Sequence, residues 1–210
     1  DDEDGAGGNL APASNPSEGY NNYITVKGGA LDRIMSVAEE DDALAFAASM
    51  SLLGISMADL SLLALTAFSG DLQASEMALG WMGFEDIEIK GSGNDYTITY
   101  TDSEGKSVEQ TCRYDPKTDS LESTEYSEDG TVTMYFEYVR QGDAYAAQYF
   151  YPWDESYQLL RAYFDTDNIA AFGTLMAFEQ PDSIIGQTGF DESFAENEES
   201  YLILKDGKLT

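Results

Sequence analysis

Apolar residues recur every three or four positions between residues 30 and 80, and every second position from there to residue 178. The first spacing is that of helices with a covered face, the second that of strands. In the helical part, Leu31, Ile34, Met35 and Ala38 are followed by Leu44 and Ala47, and from residue 43 to 68 only Asp59 is charged. Gly54 predicts the end of one helix. Ser56, with Asp59 three residues on, predicts the cap of the next. Leu60, Leu63, Ala64, Ala67 and Phe68 then supply an apolar face that ends at Gly70. Asp71 predicts the cap of a third helix running through Leu79 to Gly80. Residues 43–58 give 16 uncharged positions, with Ser49, Ser51, Gly54 and Ser56 among them. That is short of the roughly 20 apolar residues of a span, so these are read as buried helices and the chain as having no transmembrane segment.

Strands are expected at residues 84–90, 96–100, 108–114, 121–126, 131–140, 144–151, 157–164 and 169–178. Turns such as Gly91-Ser92-Gly93-Asn94, Ser103-Glu104-Gly105 and Asp115-Pro116 separate them. Links of two to five residues demand antiparallel neighbours, because a parallel crossover needs a dozen or more. A meander of seven or eight strands follows. A connection over residues 181–199 carries a short helix near 182–186, and a final strand occupies 201–204. The later strands carry large apolar groups on both faces (Met134, Phe136 and Tyr138 opposite Tyr135 and Val139). Helices should therefore cover one face, and a loop, ligand or partner the other. The fold class is α+β, with N-terminal helices packed on a curved antiparallel sheet. Residues 1–24, with five acids, no base and few large apolar groups, read as a flexible acidic tether. Residues 25–210 read as one domain.

Charge narrows the function. Forty acidic residues face ten basic ones, for a net charge of −30. Phosphate contacts need Lys and Arg, so nucleic acid is excluded as a partner, and docking to anionic lipid is disfavoured. The absence of histidine removes Ser-His, Cys-His and His-metal chemistry. A single cysteine leaves no internal disulfide. Cys112, on an apolar strand face, reads as a buried structural thiol.

Eleven of the fourteen tyrosines lie between Tyr96 and Tyr163, so a sheet face is the natural place for a ligand. Tyrosine rings stack on sugars or apolar chains while their hydroxyls make hydrogen bonds, although tyrosine is also simply a good strand former. Tyr135, Tyr149, Tyr163 and Trp153 are the candidate ligand-binding residues if they line one concave surface. The runs 39–42, 154–155 and 165–168 invite a calcium reading, but Ile169 and Ala170 stand where an EF-hand needs an oxygen ligand and a glycine. No metal or cofactor is expected. Ser103 and Lys106 match the spacing of an acyl-enzyme motif, but in a turn rather than a helix. Glu137, between Phe136 and Tyr138, is the acid that stands out in an apolar strand, and glutamate's usual exposure predicts that it faces solvent.

The sequence of acidic lead, apolar helices and antiparallel meander over roughly residues 30–204 resembles bacterial envelope lipoproteins of the LolA-like kind. In those proteins a curved sheet is plugged by helices. The resemblance rests on architecture and carries over no functional residue. It implies an apolar cavity between helices and sheet, and an extracellular or envelope-anchored location. The leading expectation is a non-enzymatic binding module for an apolar or glycan ligand. An acid–acid hydrolase acting on glycans and a structural domain that binds an envelope protein are the alternatives.

Overall fold

The computed structural model describes residues 13–41, 71–153 and 156–210, with helical positions at 44–46, 48, 49, 51 and 55. The helix signals read at Gly54, Ser56 and residues 60–70 lie outside the described residues. The chain is α+β. Helix α1 spans Pro16–Ala38 and α2 spans Leu72–Trp81. Among the described residues, no helix is long and apolar enough to cross a membrane.

The first helix begins well inside the expected tether. Asn15 caps it by accepting the Glu18 N–H at 3.0 Å, and Pro16 follows at the first helical position. Glu18 in turn accepts from the Ser14 amide and hydroxyl. Asn at the cap and Pro just inside it are favourable helix starts. Residues 16–24 thus belong to the helix, and Tyr23 is fully buried. The buried stripe Tyr23, Val26, Lys27, Ala30, Ile34 and Ala38 carries the helix past Gly28-Gly29, where each glycine costs about 1 kcal/mol relative to alanine. As expected, Asp71 caps the helix that precedes the sheet, accepting the Ala74 N–H at 3.0 Å. That helix ends at Trp81, one residue beyond Gly80.

Among the described residues, ten strands follow in one antiparallel sheet whose spatial order is the chain order. They are β1 (Glu85–Ser92), β2 (Asp95–Thr101), β3 (Ser107–Asp115), β4 (Ser120–Ser127), β5 (Val132–Gln141), β6 (Ala144–Trp153), β7 (Ser156–Asp165), β8 (Ile169–Ala177), β9 (Ser200–Lys205) and β10 (Lys208–Leu209). The count exceeds the seven or eight expected. Eight strands lie between residues 85 and 177, and the turn at Asp206-Gly207 folds two further residues back onto β9. No short helix forms at 182–186. The chain turns there, and a 3-10 turn comes later, at Glu192–Phe194.

Strand periodicity sorts the side chains into two layers. On one face, Phe136, Tyr138, Tyr145, Tyr149, Leu160 and Phe164 pack with the buried stripe of α1. Tyr23 is the centre of this layer. Its ring stacks on Tyr138 at 4.6 Å and 5°, and meets Phe136, Tyr145 and Phe164 at 5.6–5.8 Å. Arg33 fastens the far part of α1 by donating to the carbonyls of Asp165, Thr166 and Ile169. The near end seats on the β3–β4 turn. A Cβ on Gly19 would come within 2.6 Å of the Tyr114 ring and hydroxyl.

The opposite face is covered by a strap, residues 178–199. Ile184 packs on Val139 and Ala146, with Ile185, Phe190 and Phe194 beside Tyr163. The expectation of two covered faces holds, with a helix on one side and a loop on the other.

The strap lies directly on β8 at Gly173, where a side chain would collide with the Ala195 carbonyl. Because backbone cannot step aside as a side-chain tip can, Gly173→Ala should lower stability by about 1–3 kcal/mol in urea unfolding. An unchanged midpoint would mean that the strap does not rest there.

Candidate functional site: a polar row on the strapped face

Each central strand places one polar residue in the middle of the strapped face. Register pairs Arg113 with Glu122, Glu122 with Glu137, Glu137 with Gln148, Gln148 with Arg161 and Arg161 with Gly173. The row therefore crosses from β3 to β8, and the strap covers only part of it.

Glu137 lies beneath the strap with no exposed surface, not towards solvent as its residue type suggested. Its Oε1 accepts from Gln148 Nε2 at 2.6 Å and from the Ile184 N–H at 2.7 Å, and its Oε2 accepts from Ser183 Oγ at 2.7 Å. Gln148 Nε2 also donates to the Asp182 carbonyl at 2.8 Å. A buried carboxylate is tolerable only with such partners. Both oxygens are occupied, so Glu137 has nothing to offer a substrate, and it works as the anchor of the strap. Two further attachments follow. Gln141 Oε1 accepts the N–H groups of Gly189 and Phe190. The Phe194 ring lies 5.2 Å from the Arg161 guanidinium, which burial pushes below its ordinary value.

Beyond the strap, at β2–β4, the row opens into a cleft of about 310 Å³ lined by Asp95, Thr97, Thr111, Arg113, Glu122 and Tyr126. Arg113 Nε donates to Asp95 Oδ1 at 3.0 Å, with both side chains largely in solvent. Such a pair contributes little stability and is free to exchange partners. Glu122 is half-buried. Burial raises its carboxyl above the ordinary range, the neighbouring charge of Glu137 adds to this, and Arg113 opposes it. The cleft thus offers hydroxyls, a cation, two carboxyls of different character and one aromatic wall.

The four tyrosine and tryptophan candidates do not meet. Tyr135 is buried on the strapped face with Phe150 and Leu159. Tyr163 lies on that face too, in the separate cluster under Phe190 and Phe194. Tyr149 points the other way, into the α1 layer, where its hydroxyl pairs with that of Tyr23 and accepts from Lys27 Nζ at 3.1 Å. Trp153 ends β6 half-exposed, edge-on to Tyr151 at 6.5 Å. The tyrosines near α1 are core, and strand propensity accounts for them. Cys112 is buried beside Ser123, and burial pushes its thiol up to about 12. Among the described residues, no group of three or more Cys, Asp or Glu side chains is placed to hold a metal ion. Asp165 instead accepts the N–H groups of Asp167, Asn168 and Ile169 in its own turn.

Sequence reasoning passed over Glu122 and Tyr126. The available signal was the recurrence of one polar residue at the centre of successive strands, visible once the hairpins are laid in register. No protein-family model matches the chain, and neither a curated protein nor a solved structure matches it.

Two outcomes follow. Glu137→Leu strips the buried Ile184 N–H of its acceptor and removes the bonds from Gln148 and Ser183, which should cost about 2 kcal/mol or more in urea unfolding and open the strap to limited proteolysis near residues 183–190. Glu122 holds its proton to higher pH in the native state than in the unfolded chain. Its ionisation therefore penalises the fold as pH rises through the native value. Glu122→Gln should raise the urea midpoint at pH 7, and the gain should vanish below about pH 4.

Proposed function

We propose that the chain is a non-enzymatic binding module of the cell exterior or envelope, and that it takes a hydroxyl-rich, glycan-type ligand in the open cleft of β2–β4. The observation that carries this reading is the make-up of the cleft. Thr97, Thr111, Asp95, Arg113 and Glu122 present donors and acceptors beside the Tyr126 ring on a rigid sheet. A sugar offers hydroxyls to the first set and an apolar face to the ring. The volume sits at the small end of the usual range for small-molecule sites, about 300–1,000 Å³.

Two other readings have less support. An apolar ligand on the tyrosine-rich face would need the space next to α1 that Tyr23 and its neighbours occupy. An acid–acid hydrolase needs two carboxyls facing one bond. Of the adjacent pair Glu122 and Glu137, the second is wholly engaged with the strap.

A glycan array followed by calorimetry on the hits tests the reading. At least one glycan should bind the wild-type chain without being cleaved. Tyr126→Ala and Arg113→Ala should each weaken it about tenfold while the unfolding free energy stays within about 0.5 kcal/mol of wild type. Absence of any glycan ligand, or equal binding by both variants, would overturn it, and cleavage of the bound glycan would favour the hydrolase.

A further inference from the structure

A recess of about 600 Å³ lies between the β2–β3 and β4–β5 turns and reaches Pro152 near the end of β6. It is nearly twice the volume of the β2–β4 cleft and shares no lining residue with it. The strand register shapes its inner end. β4 and β5 stay in step from Ser120 to Glu125, which pairs with Met134, but Tyr126 pairs with Val132, so Thr133 is an extra residue. Such a bulge re-aims a side chain. Here the Thr133 hydroxyl donates to Glu125 Oε1 at 2.7 Å, and the Tyr100 hydroxyl, from β2, donates to Oε2 at 2.7 Å. Two donors from different strands thus fix the Glu125 carboxylate in the lining. Val108, which packs on the core layer, and Pro152 give the recess an aliphatic wall.

Charge selects the ligand. Glu125 is half-buried, yet among the described residues no Lys or Arg pairs with it. Asp119, Asp165 and Glu192, by contrast, each meet an Arg or Lys. Asp102 and Asp129 stand at the mouth, each with its Oδ1 taken by donors of its own turn, and Glu128 lies beside them. Lys106, the basic residue of the lining, is held by Glu104. An anionic ligand would be repelled, and a neutral one would leave the Glu125 charge unpaired. A bare metal ion does not fit either. Among the described residues no group of three or more Cys, Asp or Glu side chains is placed to hold one, and the aliphatic wall has nothing to offer it. An ammonium group on an apolar body meets both parts of the lining. The net charge of −30 also raises the local concentration of cations. The volume lies well inside the usual range for small-molecule sites, about 300–1,000 Å³.

We infer that this recess is a second binding site, which takes a small organic amine in its ammonium form. The ammonium pairs with Glu125, and the apolar body lies against Val108 and Pro152. The site is separate from the β2–β4 cleft, and neither reading depends on the other.

The test titrates the full chain with phenylethylamine, tryptamine and spermidine, read by calorimetry and by amide shifts. At least one amine should bind saturably, with the shifts centred on Val108, Glu125 and Thr133. Phenylethanol, which keeps the apolar body without the charge, should bind at least about tenfold more weakly than phenylethylamine. Glu125→Gln keeps the size and hydrogen-bonding capacity of the side chain but not its charge, and should weaken amine binding about tenfold. Glu76→Gln, the same change at an exposed position of α2, should leave binding unaltered. Absence of binding by all three amines would overturn the proposal, as would phenylethanol binding as tightly as phenylethylamine. So would equal binding by the Glu125→Gln chain, or equal losses in the two variants, since either marks cations gathering on an acidic surface without a site.

Discussion

A sheet that carries large apolar groups on both faces must exclude water from both, and the rest of the architecture answers that constraint. On one side the answer is aromatic. Tyr23 enters a ring cluster contributed by β5, β6 and β7 and thereby fixes where α1 lies. On the other side the cover has almost no regular structure of its own, and its position depends on a buried carboxylate. Glu137 holds the strap through the Ile184 amide and the Ser183 hydroxyl while it is itself held by Gln148. Hydrophobic burial favours a cover in general. The directional bonds at Glu137 specify which residues of the strap sit where.

The two covers leave different remainders. The strap reaches from β8 to β5 and stops, so β2–β4 keep an open polar surface on that face. Position along one row of register partners thus decides chemical role. Glu137 and Glu122 are direct neighbours, yet one is sealed among three donors and the other faces a cleft with a raised affinity for its proton. The sheet margin is different again: among the described residues β1 pairs with a strand on one side only, and α2, which precedes it, ends in an exposed indole.

Much of the fold was legible because alternation and turn residues are local signals. The eight strands between residues 85 and 177 follow the period-two pattern closely, and short turns alone dictated their antiparallel order. The start of α1 was not legible. Asn15-Pro16 and Gly19 look like a loop until the cap geometry and the seating on Tyr114 are known. Glu137 was misread for a related reason, because its burial depends on a strap nearly fifty residues further along the chain. The tyrosines misled as a group: composition reveals their number but not their facing, and the register divides Tyr149 from Tyr135 and Tyr163. The cleft rests on residues from three strands, and no one-dimensional pattern short of a full register would have assembled it.

The strictly sequential strand order has a kinetic consequence. Every pairing in the sheet joins a strand to its immediate predecessor in the chain, and from β1 to β8 the links are turns of a few residues, so the ladder can grow one hairpin at a time with small loops to close, β9 alone waiting across the strap. Loop closure costs little for such short separations, and topologies rich in near-neighbour pairings fold faster than sandwiches that must bring distant strands together. The expensive closures are those of α1 and the strap. Tyr23 meets Tyr149 across 126 residues of chain, so an early sheet would carry bare apolar faces until these two late arrivals settle on it.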